Sequence, residues 1–143
     1  MLVGISPLIS PDLLSTLSRM GHGDEIVLAD AHFPSDSMNA HVIRADGLKI
    51  VPLLDAIMPL FALDKSFDYP LIMMAPTPED QIDTQVEISY IKSVRKIWPD
   101  IPDIQKIERF AFYDRTRKAF AVVMTGDTAT YANIILRKGV TPL

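Results

Sequence analysis

Ile26-Val27-Leu28-Ala29 is an unbroken apolar run, fenced by Gly21 and Gly23 before it and by Asp30 and Pro34 after it. A short run with breakers on both sides reads as a buried strand of a parallel sheet, covered on both faces. Similar runs lie at residues 71–75, 119–124 and 134–138, and Val42-Ile43-Arg44 forms a shorter one. Chains built on several such strands must cover them with helices, so the segments between are the next constraint.

Those segments carry helical spacing. Ser10 is placed as an N-cap and Pro11 at the first helical position; Leu13, Leu14, Leu17 and Met20 then recur on one face, and Gly21 closes the helix. Ile50, Leu53, Leu54, Ile57, Met58 and Phe61 make a second stripe, with Pro52 confined to its first turn and Pro59 to its end. A third helix is expected over residues 87–98, with Ile88, Ile91, Val94 and Trp98 on one face. Residues 104–109 fit a strand or a loop, and 109–117 a helical turn. Short buried strands alternating with amphipathic helices indicate an α/β sandwich. At 143 residues the chain is expected to form a single domain, 1–143, with a substantial core.

Charge and composition exclude several classes. The net charge of −4 offers no basic footprint for nucleic acid. No apolar run approaches the ~20 residues of a membrane helix, and no basic, apolar and small-residue sequence marks a signal peptide. With no cysteine there is no disulfide, thiolate nucleophile or thiolate metal site, which fits a cytoplasmic protein.

Chemistry gathers in two places. His22 sits between two glycines ahead of the first strand, where an imidazole can give and take a proton near neutral pH or serve merely as a surface loop residue. Asp30 follows the same strand at its C-terminal edge, where α/β proteins place ligands; it also suits the cap of the turn toward Pro34. His22, Asp24, Asp30 and His32 are metal-ligating types, but their spacing matches no compact ligand motif, so no metal is expected. Farther on, Arg109 offers a fork of donors, Tyr113 and Tyr131 combine a ring with a hydroxyl, and Asn133 opens the last strand although strands disfavour Asn. No Gly-x-Ser-x-Gly elbow or phosphate loop is present.

Gly21-His22-Gly23-Asp24-Glu25-Ile26 with Asp30-Ala31, followed at the far end by Thr125-Gly126-Asp127 and Tyr131-Ala132-Asn133-Ile134-Ile135-Leu136-Arg137-Lys138-Gly139-Val140, resembles the RbsD/FucU family of sugar mutarotases. The resemblance runs over essentially the whole chain. Asp30-Ala31-His32-Phe33-Pro34, where ribose pyranases read Asp-Ala-Gly-Leu-Pro, is similar to the fucose branch, as are residues 42–48 and 109–113. It implies an α/β/α sandwich of the RbsD type and exchange of the α and β anomers of L-fucose. It implies His22 as catalytic acid, sugar contacts from Asp30, Arg109, Tyr131, Ala132 and Asn133, and no cofactor. It also implies a toroidal homodecamer with sites at subunit interfaces. Ala132 departs from the glycine of some fucose-branch members. A different monosaccharide, or sugar binding without catalysis, stays open at this stage. One geometric question follows. A strand of five to seven residues separates its ends by about 17–23 Å, so His22 must fold back toward Asp30 or meet the Asp30 of a neighbouring subunit.

Overall fold

A computed structural model describes residues 1–143. Its strands are β1 (Glu25–Ala29), β2 (Val42–Ala45), β3 (Leu71–Met74), β4 (Gln105–Ile107), β5 (Ala121–Thr125) and β6 (Ile134–Arg137). Its helices are α1 (Pro11–Arg19), α2 (Ser35–Met38), α3 (Ile50–Ile57), α4 (Thr84–Arg95) and α5 (Arg109–Lys118), with a 3₁₀ turn at Met58–Leu60. The strands form one sheet in the order β2-β5-β1-β6-β3-β4. β1 lies parallel to β5 and antiparallel to β6, so the parallel environment expected for it holds on one side only. β6 also runs antiparallel to β3.

Alternation along the strands divides the core in two. Ile26, Leu28, Ile134 and Leu136 point to the face covered by α1, α3 and α4, while Val27, Ala29, Val122 and Ile135 point to the face carrying Phe33 and Phe112 of α5. All eight strand residues are fully buried. Helices on both faces therefore explain why these strands read as unbroken apolar runs and not as alternating patterns.

Local signals account for most boundaries. Ser10 caps α1 by accepting from the Leu13 N–H, and Pro11 follows at the first position. α1 ends at Arg19 with Met20 in an extended conformation, so Gly21 supplies no left-handed cap. Gly21 instead donates its N–H to the Asp24 carboxylate at 2.8 Å, and the left-handed residue of this loop is Gly23, at φ 89°. Pro59 cannot continue the α-ladder, and the chain tightens there into the 3₁₀ turn.

The expected third helix is shifted. α4 starts three residues earlier, because Asp83 caps it through the Gln85 N–H, and it ends before Trp98, whose successor Pro99 disfavours helical backbone. Its buried face carries Tyr90, Ser93 and Val94, whereas Ile88 is 51% exposed. Residues 104–109 contain the edge strand β4, parallel to β3. The expected turn after it is a full helix, α5, because Glu108 accepts from the Phe110 and Ala111 N–H groups and satisfies its N-terminus.

The turn after β5 locks two elements together. The Asp127 carboxylate accepts from the Ile50 N–H at the start of α3, and the Gly126 N–H donates to the Leu48 carbonyl. A Cβ at Gly126 would stand 2.0 Å from the Asp46 carbonyl oxygen. Gly126→Ala is therefore expected to cost about 1–3 kcal/mol through overpacking, read as a lower denaturant midpoint with an unchanged slope.

Candidate functional site

Two clefts flank the sheet, one at each end of β1. The first opens beyond Ala29. Thr125 Oγ1 takes the Ala29 carbonyl at 2.7 Å and Ala31 donates to the Asp127 carbonyl, so the chain turns out of the sheet at Asp30. Asp30 is buried. Its N–H donates to Asn133 Oδ1 at 2.8 Å, its Oδ1 accepts from the His32 N–H at 2.9 Å and its Oδ2 from the Ala132 N–H at 3.4 Å. Burial raises its pKa above the usual carboxylate value, and the backbone donors of His32, Ala132 and Phe33 offset that only in part. A carboxylate in such a place is a strong hydrogen-bond acceptor and can take up a proton.

Around Asp30 lies a cleft of about 220 Å³ that brings together Asp30, Arg109, Tyr131 and Asn133. It is below the roughly 300–1,000 Å³ of sites for drug-sized ligands, which suits a small molecule. Asn133 spends its oxygen on the Asp30 N–H and leaves its amide hydrogens to the cleft. Arg109, first residue of α5, has no carboxylate partner and lies over the Phe110 ring at 4.8 Å. Phe33 and Tyr113, with centroids 5.8 Å apart, form an aromatic wall. Tyr131 holds a left-handed backbone at φ 55° and donates its hydroxyl to Asp80, which fastens the loop after β3 beside the cleft. Ala132 is fully buried behind these groups: its N–H is directed to Asp30 and its carbonyl accepts from the Tyr90 hydroxyl at 2.8 Å.

His22 lines the other cleft, about 250 Å³, with Asp64, Lys65, Ser66, Trp98 and Val140. The exit of β6 builds this end. Lys138 accepts from the Gly23 N–H, donates to the Asp24 carbonyl and bridges to Leu63, while Gly139 donates to the Ala62 carbonyl. The loop carrying His22 and the segment carrying Asp64 are thereby hung on one stretch of backbone. His22 Nε2 lies 3.3 Å from Asp64 Oδ1, with the histidine side chain 53% exposed and the aspartate side chain 3%. β1 and its flanking turns thus stand between His22 and Asp30, and the loop does not fold back.

Asp64, Ser66 and Trp98 were not singled out as site residues by the sequence, and His32 was weighed only as a metal ligand. Asp64-Lys65-Ser66 follows a helix and a turn with no motif of its own, and the hydrogen bond from the Ser66 hydroxyl to Asp64 shows only in the structure. No three His, Cys, Asp or Glu side chains meet closely enough to hold a metal ion, and no helix is long and apolar enough to cross a membrane.

The Asp64 carboxylate carries a pH signature. Burial would push its pKa up, but hydrogen bonds from Ser66 and Arg137, with His22 beside it, bring it down from 3.8 to about 2. The folded pKa lies below the unfolded one, so the stabilisation is complete above the unfolded pKa and vanishes as pH falls through about 2. The stability advantage of wild type over Asp64→Asn should shrink by about 2 kcal/mol on going from about pH 5 to about pH 2, measured by denaturant titrations across that range.

Residues 3–141 match the model of the RbsD / FucU transport protein family. The chain is 53% identical over 143 residues to an L-fucose mutarotase of Glaesserella parasuis, covering 100% of this chain and 98% of that protein. It is 51% identical to an L-fucose mutarotase of Actinobacillus pleuropneumoniae, with 100% and 99% covered. Among solved structures, the fucose mutarotase from Streptococcus pneumoniae in complex with L-fucose superposes with a TM-score of 0.93 at 45% identity, over 99% of this chain and 100% of that one.

Proposed function

The chain belongs to the RbsD/FucU family, and from that membership we propose that it is an L-fucose mutarotase, an isomerase that exchanges the α and β anomers of the free sugar. The full-length likeness to L-fucose mutarotases supports the activity. The observation that carries the site is the cleft at the C-terminal edge of β1, where a buried carboxylate, a free guanidinium, an amide and an aromatic wall converge. These are the groups that hold a sugar: acceptors and donors for hydroxyls, and a ring face for its apolar side.

Mutarotation asks for little more than proton transfer. One group protonates the ring oxygen as the bond from the anomeric carbon to that oxygen breaks, and the bonding pair stays on the ring oxygen. A second group accepts the anomeric hydroxyl proton, and the anomeric carbon becomes an aldehyde. Rotation about the adjacent carbon–carbon bond, closure from the other face and return of both protons give the other anomer. His22 is the acid. Asp30 is the acceptor: its buried carboxylate lines the cleft, and burial raises its affinity for a proton. Arg109 and the Asn133 amide donate to sugar hydroxyls and steady negative charge that develops on oxygen. Tyr131, held by Asp80, shapes the rim, and Ala132 acts through its backbone by orienting Asp30.

The two ends of β1 cannot serve one sugar within one chain. The five-residue strand alone spans about 17 Å. The Asp30 cleft of one subunit is therefore completed by His22 of a neighbour, and the enzyme works as a closed homo-oligomer, a decameric ring by analogy with the family. Heterologous contacts of this kind generate a ring when the rotation between neighbours closes. We place its work in the cytoplasm by analogy with the family, and it needs no cofactor, since no step calls for redox chemistry or a Lewis acid.

Saturation-transfer NMR on L-fucose tests the activity. Wild type should exchange the anomers well above the buffer rate, and His22→Ala and Asp30→Asn should each lower that exchange by about 10²–10⁴-fold. His22→Ala exchanging as fast as wild type would refute its role. Co-assembly of the two inactive variants in equal amounts should restore activity at about one site in four, because random mixing pairs an intact His22 with an intact Asp30 that often; no recovery in confirmed mixed oligomers would place both groups in one subunit.

A further inference from the structure

The cluster behind His22 is more elaborate than a surface histidine needs. Asp64 is buried and receives four donors or partners: the Ser66 N–H at 3.0 Å, the Ser66 hydroxyl at 2.6 Å, Arg137 Nε at 3.0 Å on Oδ2, and His22 Nε2 at 3.3 Å on Oδ1. Arg137 is itself held, with Glu25 4.0 Å away and the Phe67 ring 4.2 Å from its guanidinium carbon, and Glu25 pairs in turn with Arg115 of α5. A buried carboxylate anchored this way keeps its charge and cannot swing to another partner.

The second neighbour of His22 is also an acceptor. Ser66 Oγ lies 3.5 Å from Nε2, and its only proton is directed to Asp64. An oxygen whose proton is committed can offer Nε2 lone pairs alone. Both groups facing Nε2 therefore demand that this nitrogen carry a hydrogen. No protein group engages Nδ1.

We infer that Asp64, steadied by Ser66 and Arg137, is the positioning residue of His22: it holds the imidazole with its hydrogen on Nε2, so that Nδ1 is the nitrogen that exchanges a proton with the sugar. The inference rests on the mutarotase reading for its kinetic consequence. In the forward step the imidazolium gives its Nδ1 proton to the ring oxygen as the bond to the anomeric carbon breaks, and the neutral imidazole left behind keeps its Nε2–H on Asp64. On closure Nδ1 takes the proton back from the hydroxyl formed at that oxygen. Asp64 stays ionised throughout and stabilises the charged imidazole by its fixed negative charge, the service a buried carboxylate gives any histidine that shuttles protons. Asp64 never touches the substrate.

Two measurements decide the point. In Asp64→Asn the carboxylate charge is gone and the amide can present N–H to Nε2, reversing the tautomer. Saturation-transfer kinetics as a function of L-fucose concentration should show kcat down by about 10²–10⁴-fold with KM little changed, because sugar is bound from the Asp30 side. Asp64→Asn with kcat near wild type would overturn the inference, as would a loss confined to KM. The second measurement uses wild-type protein and stands even if the variant does not fold. Long-range ¹H–¹⁵N spectra of ¹⁵N-labelled protein, with the His22 signals assigned by their absence in His22→Ala, should show neutral His22 protonated on Nε2; a neutral ring protonated on Nδ1 would overturn it. Failure of wild type to exchange fucose anomers would count against the mutarotase reading alone, and the tautomer would still decide the role of Asp64.

Discussion

The pairing of β6 with β1 is the constraint on which the rest of the molecule depends. β6 enters the sheet antiparallel between β1 and β3, with Glu25 opposite Arg137 and Leu28 opposite Ile134. Because the two strands run in opposite directions, the residues leading into β6 lie beside the exit of β1, and the residues leaving β6 lie beside its entrance. Asn133 thereby reaches Asp30 at one end, while Arg137 and Lys138 reach the His22 loop at the other. A parallel β6 would have matched the wrong ends, and neither cleft would have its floor. Full burial of Val27, Leu28, Ile134 and Ile135 holds this pairing in register, since a slip of one residue would turn each side chain to the opposite face.

The two clefts use carboxylates in opposite ways. Both are nearly inaccessible to solvent, but Asp30 lies deeper with few strong donors, and its affinity for protons rises; a guanidinium and a serine hydroxyl hold Asp64 charged. Depth and donor set together decide between a group that can take a proton and a group that only supplies field. The ion pairs from Arg115 through Glu25 to Arg137 extend that field along the edge of the sheet. They contribute mainly by leaving no half-buried charge without a partner, since an unpaired one there costs far more than the pair gains.

Much of this was legible along the chain. The apolar runs marked β1, β3, β5 and β6, and the Ser10-Pro11 pair marked the start of α1, because caps and doubly covered strands are local chemistry. Asp30 and Asn133 were visible as polar residues at strand ends and Arg109 and Tyr131 by their side-chain chemistry, and the four meet in one cleft. The errors came where distant partners overrule local pattern. Ile88 fitted a helical stripe, yet α4 turns Tyr90 and Val94 inward because the Tyr90 hydroxyl has the Ala132 carbonyl to satisfy. Asp64 carried no motif, since its meaning comes from Arg137, 73 positions away in the chain.

By itself, then, the sequence determined the apolar strands β1, β3, β5 and β6, the polar residues that flank β1 and β6, and, through two separated motifs, the family. Periodicity, breakers and capping residues act over a few positions and need no fold to be read. Tertiary structure alone decided the direction of β6, the carboxylate that backs His22, and the separation of His22 from Asp30 along β1. Those depend on which strand pairs with which, and pairing is settled by burying both faces of the whole sheet at once.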